Sequence, residues 1–180
     1  MHGLADNRWL LQPFSGCDKR EDAMPKEGFM KKIERILAPT DVSELSRLGL
    51  EYALELARGW GAEVMVYHVA NAAELANYKA SSLEDLLEKH KRTLSQFLNK
   101  HFFDLLPLVE VREKVDVGTP ATRILETAEK EGSDLIVMST HGRTGLGHVL
   151  MGSVTEQVVR NAVCPVFSVH PPRAQKGRET

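Results

Sequence analysis

The residues with the clearest chemical promise form one stretch, Asp134-Leu-Ile-Val-Met-Ser-Thr-His-Gly-Arg-Thr-Gly-Leu-Gly-His-Val-Leu-Met-Gly-Ser-Val-Thr-Glu156. An apolar run, Leu135 to Met138, is short enough to be a buried strand. Glycines follow at Gly142, Gly145 and Gly147. Gly152-Ser153-Val154-Thr155-Glu156 then reads as a helix start, with Ser153 as cap and Glu156 completing a capping box. Glycines let backbone amides approach a phosphate closely. A helix start adds unpaired N–H groups and a partial positive charge. The chemistry is that of an anion site, and the ligand it implies bears phosphate, most simply as a nucleotide.

A second polar set stands at the end of another predicted strand, as Pro39-Thr40-Asp41. In a doubly wound sheet, ligands bind at the carboxyl ends of the strands, where strand order reverses. If the first and fourth strands are neighbours, Asp41 and the Ser139-Thr140-His141-Gly142 segment face one crevice. Asp41 would then accept hydrogen bonds from ribose hydroxyls, with a base against Val69 and Ala70. The plainer reading makes Asp41 a helix cap, a favoured role for aspartate.

Several familiar chemistries are excluded. No P-loop occurs, because no Lys-Ser or Lys-Thr follows the last glycine. The turn after the first strand has no glycine, so a dinucleotide fingerprint is missing. His90 and His101 fall on an apolar helix face and His68 in a strand. None has metal-ligand spacing with carboxylate support, so packing is their expected role. His141, His148 and Arg143 sit in the glycine loop, within reach of phosphates or of solvent. Neither Ser139 nor Ser153 is matched to a base, and there is no nucleophile elbow. The chain carries no convincing catalytic set.

The elements that must position these residues follow from periodicity. Arg35 to Pro39 is a first strand. A helix follows, with Leu45, Leu48, Tyr52, Ala53 and Leu56 on one face, capped by Ser43 or Asp41 and stopped by Gly59 and Gly61. Glu63 to Val69 is a second strand, with Met65, Tyr67 and Val69 on one face and Val64, Val66 and His68 on the other. From Leu83 to about His101 runs the longest helical pattern. Val109 to Asp116 alternates like a strand near a sheet edge. Thr119 caps a helix with Pro120 at its first position and Ala121, Ile124, Leu125 and Ala128 as its buried stripe. The fourth strand, loop and helix come next, and Pro165 to Val169 is a fifth strand. Five strands alternating with four helices imply an α/β fold with a mostly parallel sheet covered on both faces.

With 180 residues and a formal net charge of -2, the chain has enough length for one core and no global attraction to nucleic acid or an anionic membrane. No apolar run reaches the roughly 20 residues a bilayer span needs. Two cysteines, Cys17 and Cys164, form no framework, which fits a reducing cytoplasm. The expected organisation is a flexible extension over 1–30, a domain over 31–170 and a flexible tail over 171–180. In the extension, Met24 and Met30 offer alternative starts, and Trp9 and Phe14 could anchor an interaction arm.

The segments Ile36-Leu-Ala-Pro-Thr-Asp-Val-Ser43, Val66-Tyr-His-Val69, Val117-Gly-Thr-Pro120, Ile136 to Leu146, Gly152 to Glu156 and Cys164 to Val169 stand in an order and spacing that resemble the universal stress protein family. The resemblance implies an open Rossmann-like sheet of order 3-2-1-4-5. It also implies a homodimer, made by antiparallel pairing of the last strands, Val166 to Val169. ATP-binding members share a pattern: glycine, two residues, glycine, nine residues, then glycine followed by Ser or Thr. Gly142, Gly152 and Ser153 match it here, whereas Ser139 replaces the first glycine. Carried over by position, base and ribose contacts fall to Pro39, Thr40, Asp41 and Val69. Phosphate and ribose contacts fall to Met138, Ser139, Gly142, Gly152, Ser153, Val154 and Thr155. A magnesium or manganese ion would accompany the phosphates. The implied function is that of an ATP-binding regulator in stress response, with slow hydrolysis at most. A nucleotide-free dimer acting by protein contacts is the alternative that Ser139 favours, and a slow ATPase is a further one.

Overall fold

The computed structural model describes residues 31–71, 82–140 and 152–170. Its strands are β1 (Arg35–Thr40), β2 (Glu63–Asn71), β3 (Val111–Gly118), β4 (Leu135–Ser139) and β5 (Val166–Val169). The helices are α1 (Glu44–Trp60), α2 (Leu83–Phe102), α3 (Pro120–Lys130) and α4 (Ser153–Asn161), with a 3-10 turn at Leu106–Leu108. The five strands form one parallel sheet in the order β3-β2-β1-β4-β5. The glycine-loop residues at 141–151, the first thirty residues and the tail lie outside the described residues.

Alternation along the central strands decides which layer each side chain joins. Ile36, Ala38, Val64, Val66 and Val137 pack with Leu50, Ala53 and Leu54 of α1 and Leu94 and Leu98 of α2. Leu37, Met65, Tyr67, Ile136 and Met138 turn to the other face, against Ala121, Ile124 and Ala128 of α3 and Val158 of α4. Both faces of β1 and β4 are therefore covered, which explains why these strands read as unbroken apolar runs. Fully buried leucines such as Leu54 are each worth about 1.5–3 kcal/mol of apolar transfer. At the sheet edges, β3 and β5 keep exposed positions.

The helix termini fall on expected residues, with differences of detail. Ser43 caps α1 and shares a capping box with Ser46. Gly61, in the left-handed region at φ 66°, ends that helix, whereas Gly59 lies inside it. Thr119 stands at the cap position of α3 without a side-chain bond, and Pro120 opens the helix. β3 begins and ends two residues later than the pattern of alternation indicates.

The buried stripe of α1 also differs. It comprises Ser46, Gly49, Leu50, Ala53, Leu54 and Ala57, while Leu45 and Tyr52 are exposed. A Cβ on Gly49 would lie 2.6 Å from the Ser139 backbone nitrogen. The helix thus rides on β4 through small residues, and its larger apolar side chains flank that contact. Among the described residues, no helix is long and apolar enough to cross a membrane.

Candidate functional site

The sheet opens between β1 and β4 towards their carboxyl ends. β1 stays paired with β2 as far as Thr40 opposite His68. With β4 it pairs only through Ile36–Leu135 and Leu37–Ile136. The strands part where β1 carries Pro39, which has no N–H to give a ladder. Strand order reverses at the same place, since the chain passes from β1 to β2 and β3 on one side and returns to β4 and β5 on the other. A cleft of about 360 Å³ results.

Four separate segments bring the expected residues to this cleft. Pro39, Thr40 and Asp41 come from the end of β1, Val69 from β2, Met138 and Ser139 from β4, and Gly152, Ser153, Val154 and Thr155 from the start of α4. Gly142 lies outside the described residues. Thr140, expected at this crevice with Ser139, lines it too, whereas sequence reasoning missed Ser46, Tyr67, His68, Asn71, Pro120 and Ile124. For Tyr67, His68 and Asn71 a signal was present: they bracket Val69 at the carboxyl end of β2.

The turn after β1 is tightly specified. Asp41 Oδ1 accepts from the Ser43 N–H at 3.1 Å and from the Ser43 hydroxyl at 2.6 Å. Asp41 is therefore a half-buried turn residue on the cleft wall, and the cap of α1 is Ser43. Ser46 spends its hydroxyl proton on the Ser43 carbonyl, 2.8 Å away. The 2.9 Å contact between the Thr40 and Ser46 hydroxyls must then use the Thr40 proton. Thr40 Oγ1 in turn accepts from the Val42 N–H at 3.1 Å. Val42 sits at φ 62°, a conformation rare for a β-branched residue and costing about 1–3 kcal/mol. Strain is stored in the turn that presents Asp41.

The start of α4 is built differently from the expected capping box. Gly152 is its N-cap, with no side-chain capping bond, and Ser153 is the first helical residue. Glu156 pairs instead with Arg160 at 3.0 Å. The Gly152 N–H donates to the Thr140 carbonyl at 2.7 Å, and Glu156 N–H to the Gly152 carbonyl at 2.9 Å. The N–H groups of Ser153, Val154 and Thr155 thus precede the helical ladder, at the positive end of the helix. A Cβ on Gly152 would come 3.1 Å from the Thr140 oxygen, so a larger residue crowds this junction.

Ser139 borders the cleft, but strand alternation turns its side chain towards α1. Its hydroxyl accepts from the Gly49 N–H at 2.9 Å, and its carbonyl accepts from the Thr155 hydroxyl at 3.0 Å. On β2, the Tyr67 hydroxyl donates to Asp116 Oδ2 at 2.8 Å. Burial pushes the Tyr67 phenol well above its ordinary value, a Thr127 hydrogen bond pulls it partly back, and the Asp116 carboxylate adds to the rise. Tyr67 is accordingly a neutral wall of the cleft. His68 and His90 are buried, with His68 Nδ1 2.9 Å from the Thr40 carbonyl and His68 Nε2 2.9 Å from His90 Nδ1. Among the described residues, no group of three or more His, Cys, Asp or Glu side chains could hold a metal ion.

Comparison with known proteins gives this geometry a context. Residues 32–170 match the model of the universal stress protein family. Universal stress protein MJ0531 of Methanocaldococcus jannaschii is 33% identical over 144 residues, covering 79% of this chain and 85% of its own. The solved structure of MJ0577 from the same organism is 31% identical, with a TM-score of 0.63, and covers 80% of this chain and all of its own. A family protein from Arabidopsis thaliana, At3g01520, was solved with AMP bound. It shares the fold at 18% identity and a TM-score of 0.54, covering 81% of this chain and 97% of its own.

Proposed function

The chain belongs to the universal stress protein family, and from that premise we propose that it is an ATP-binding member, a nucleotide-dependent sensor or regulator of the stress response. One observation carries the proposal. Residues from four segments, far apart in sequence, meet at a switch-point cleft whose volume lies in the range of small-molecule sites. Asp41 at one end suits ribose hydroxyls. The Ser153, Val154 and Thr155 amides at the other suit phosphate oxygens. The fold has accommodated AMP in the Arabidopsis protein.

Ser139 favours a nucleotide-free role only if its side chain occupies the phosphate path. Its bond to Gly49 directs the hydroxyl to α1 instead. A magnesium or manganese ion fits as an ion carried on the phosphates, because among the described residues Asp41 is the carboxylate that lines the cleft, and its Oδ1 is engaged by Ser43. The role is binding rather than turnover, with slow hydrolysis at most. ATPase activity above a mock purification that vanishes in Asp41→Ala would instead favour an enzyme.

The direct test extracts purified protein with acid, chromatographs the supernatant and titrates ATP by calorimetry. Bound adenine nucleotide, or saturable binding, is expected. The absence of both carry-over and binding at about millimolar ATP, a Kd equivalent to about -4 kcal/mol, sinks the proposal.

The same reading covers assembly. β5 is an edge strand, and Phe167 and Val163 are exposed beside it, with Tyr52 of α1 5.9 Å from the Phe167 ring. Antiparallel pairing of Val166 to Val169 between two copies would cover this apolar edge. Phe167→Glu should convert a dimer to a monomer in size-exclusion light scattering. A monomeric parent, or an unchanged mass in the variant, refutes the pairing.

A further inference from the structure

The end of the cleft away from α4 is closed by Tyr67. Val69 and Tyr67 turn to the same face of β2, as alternation requires. Two residues of strand span about 7 Å, so the Tyr67 ring lies one layer beneath the place given to the base. Tyr67 borders the cleft and yet is 0% exposed. It shares a buried cluster with Ile124 of α3 and Met138 of β4, which border the cleft with it. Asn71, at the end of β2, and Pro120, at the start of α3, complete this end.

A ring in such a place could swing aside or stay fixed, and its hydroxyl decides between them. The phenol donates to Asp116 Oδ2 on β3 at 2.8 Å and is also hydrogen-bonded by Thr127 of α3. A hydrogen bond to a carboxylate is among the stronger kinds. The ring is thus tied to a strand on one side and a helix on the other. Turning it would leave a buried hydroxyl unpaired.

Asp116 is anchored in turn. Lys114 Nζ lies 4.0 Å from its Oδ2, 3.2 Å from Glu131 Oε1 and 5.7 Å from the centre of the Tyr67 ring. The ammonium offsets the carboxylate behind the ring, so the wall presented to the cleft is neutral as well as fixed. None of the described residues that line this end carries a charge.

We propose that Tyr67, tethered by Asp116, is a specificity-determining residue that sets the depth of the base end, so that the cleft takes an uncharged planar base and rejects one enlarged on the edge farthest from the ribose. The inference rests on the nucleotide reading above and deepens it. With the ribose at Asp41 and the phosphates at the start of α4, the base points towards β2 and α3. A substituent on its far edge then meets the Tyr67 ring. To displace that ring it must break the bond to Asp116 and press on Ile124 and Met138 in a close-packed cluster. Asp116 acts only through Tyr67 and is a positioning residue.

The test titrates the full chain by calorimetry with ATP and with N6-benzyl-ATP, whose exocyclic nitrogen carries a benzyl group. The readout is the ratio of the two affinities, in which a general loss of binding cancels. The parent should bind N6-benzyl-ATP at least roughly tenfold more weakly than ATP, the scale of overpacking in a filled site. Tyr67→Leu removes the ring and should narrow that ratio by roughly tenfold. Asp116→Ala keeps the ring but frees it, and should narrow the ratio by roughly threefold, the scale of one hydrogen bond. Asp116→Asn still accepts from the phenol and should keep most of the parent's discrimination.

A parent that binds both nucleotides equally, or an unchanged ratio in either Tyr67→Leu or Asp116→Ala, overturns the inference and leaves the nucleotide reading standing. A parent that binds neither nucleotide overturns both. Should Tyr67→Leu fail to fold, Asp116→Ala decides, because its substitution lies outside the cleft and leaves the buried ring in place.

Discussion

The Ser139 hydroxyl lies 2.9 Å from the Gly49 nitrogen and accepts its N–H. That bond joins β4 to α1 at a close contact between them, where a Cβ on residue 49 would lie 2.6 Å from the Ser139 nitrogen. The position at which this chain departs from the ATP-binding pattern is thus part of the helix–sheet contact, and its polar atom points away from the start of α4.

Ser139→Gly should therefore leave ATP affinity within about twofold while lowering stability by about 1–2 kcal/mol, since a buried N–H loses its acceptor and glycine adds chain entropy. Urea unfolding and calorimetry measure the two effects separately. A large gain in affinity would show that the hydroxyl obstructs the phosphates.

Gly152→Val should abolish ATP binding. Its Cβ would press on the Thr140 oxygen, at 3.1 Å, and its branches would enter the space before the Ser153 and Val154 amides. Crowding of this kind typically costs about 1–3 kcal/mol of stability, so circular dichroism must show a retained fold. Retained fold with unchanged affinity would remove the α4 start from the site.

Asp41→Ala should weaken ATP binding by about 1–3 kcal/mol if the carboxylate holds ribose hydroxyls. The capping box between Ser43 and Ser46 does not require Asp41, so Tm should fall only slightly. Asp41→Asn keeps an acceptor for Ser43 and should lie between parent and alanine in affinity. A large drop in Tm with unchanged affinity would make Asp41 a purely structural turn residue.

Tyr67 makes a prediction about alkaline stability. Its phenol is raised in the folded chain, so folding favours the neutral form. That contribution is fully present below the unfolded value, about 10 for tyrosine, and is lost as pH climbs above it towards the folded value. Urea unfolding from about pH 8 to 11 should show the parent losing stability at the top of the range, and Tyr67→Phe losing less. Equal slopes would mean that the phenol titrates normally.

Much of the layer arrangement was legible because apolar runs and alternation respond directly to burial. The two faces of β2 follow from reading every second residue, and Met65 and Tyr67 indeed turn away from Val64 and Val66. The face of α1 was misread because periodicity weights large side chains. Close packing on β4 selects Gly49, Ala53 and Ala57 instead, and Tyr52 is left beside Phe167. The start of α4 was displaced by one residue, because the Gly152 N–H is bonded to the Thr140 carbonyl at the end of β4. The cleft residues of β1, β4 and α4 were identified through spacing and resemblance. The link from His68 to His90 spans 22 positions and joins a strand to a helix, so no local pattern carries it.

The bond from Gly152 to the Thr140 carbonyl has a bearing on how the chain can vary. It ties the end of β4 to the start of α4 at the base of residues 141–151, whatever lies between them. The two residues are thereby a fixed pair, and enlarging residue 152, whose Cβ would come 3.1 Å from the Thr140 oxygen, is felt at the end of β4 as well as at the helix start. Variation at either position should therefore be correlated with variation at the other.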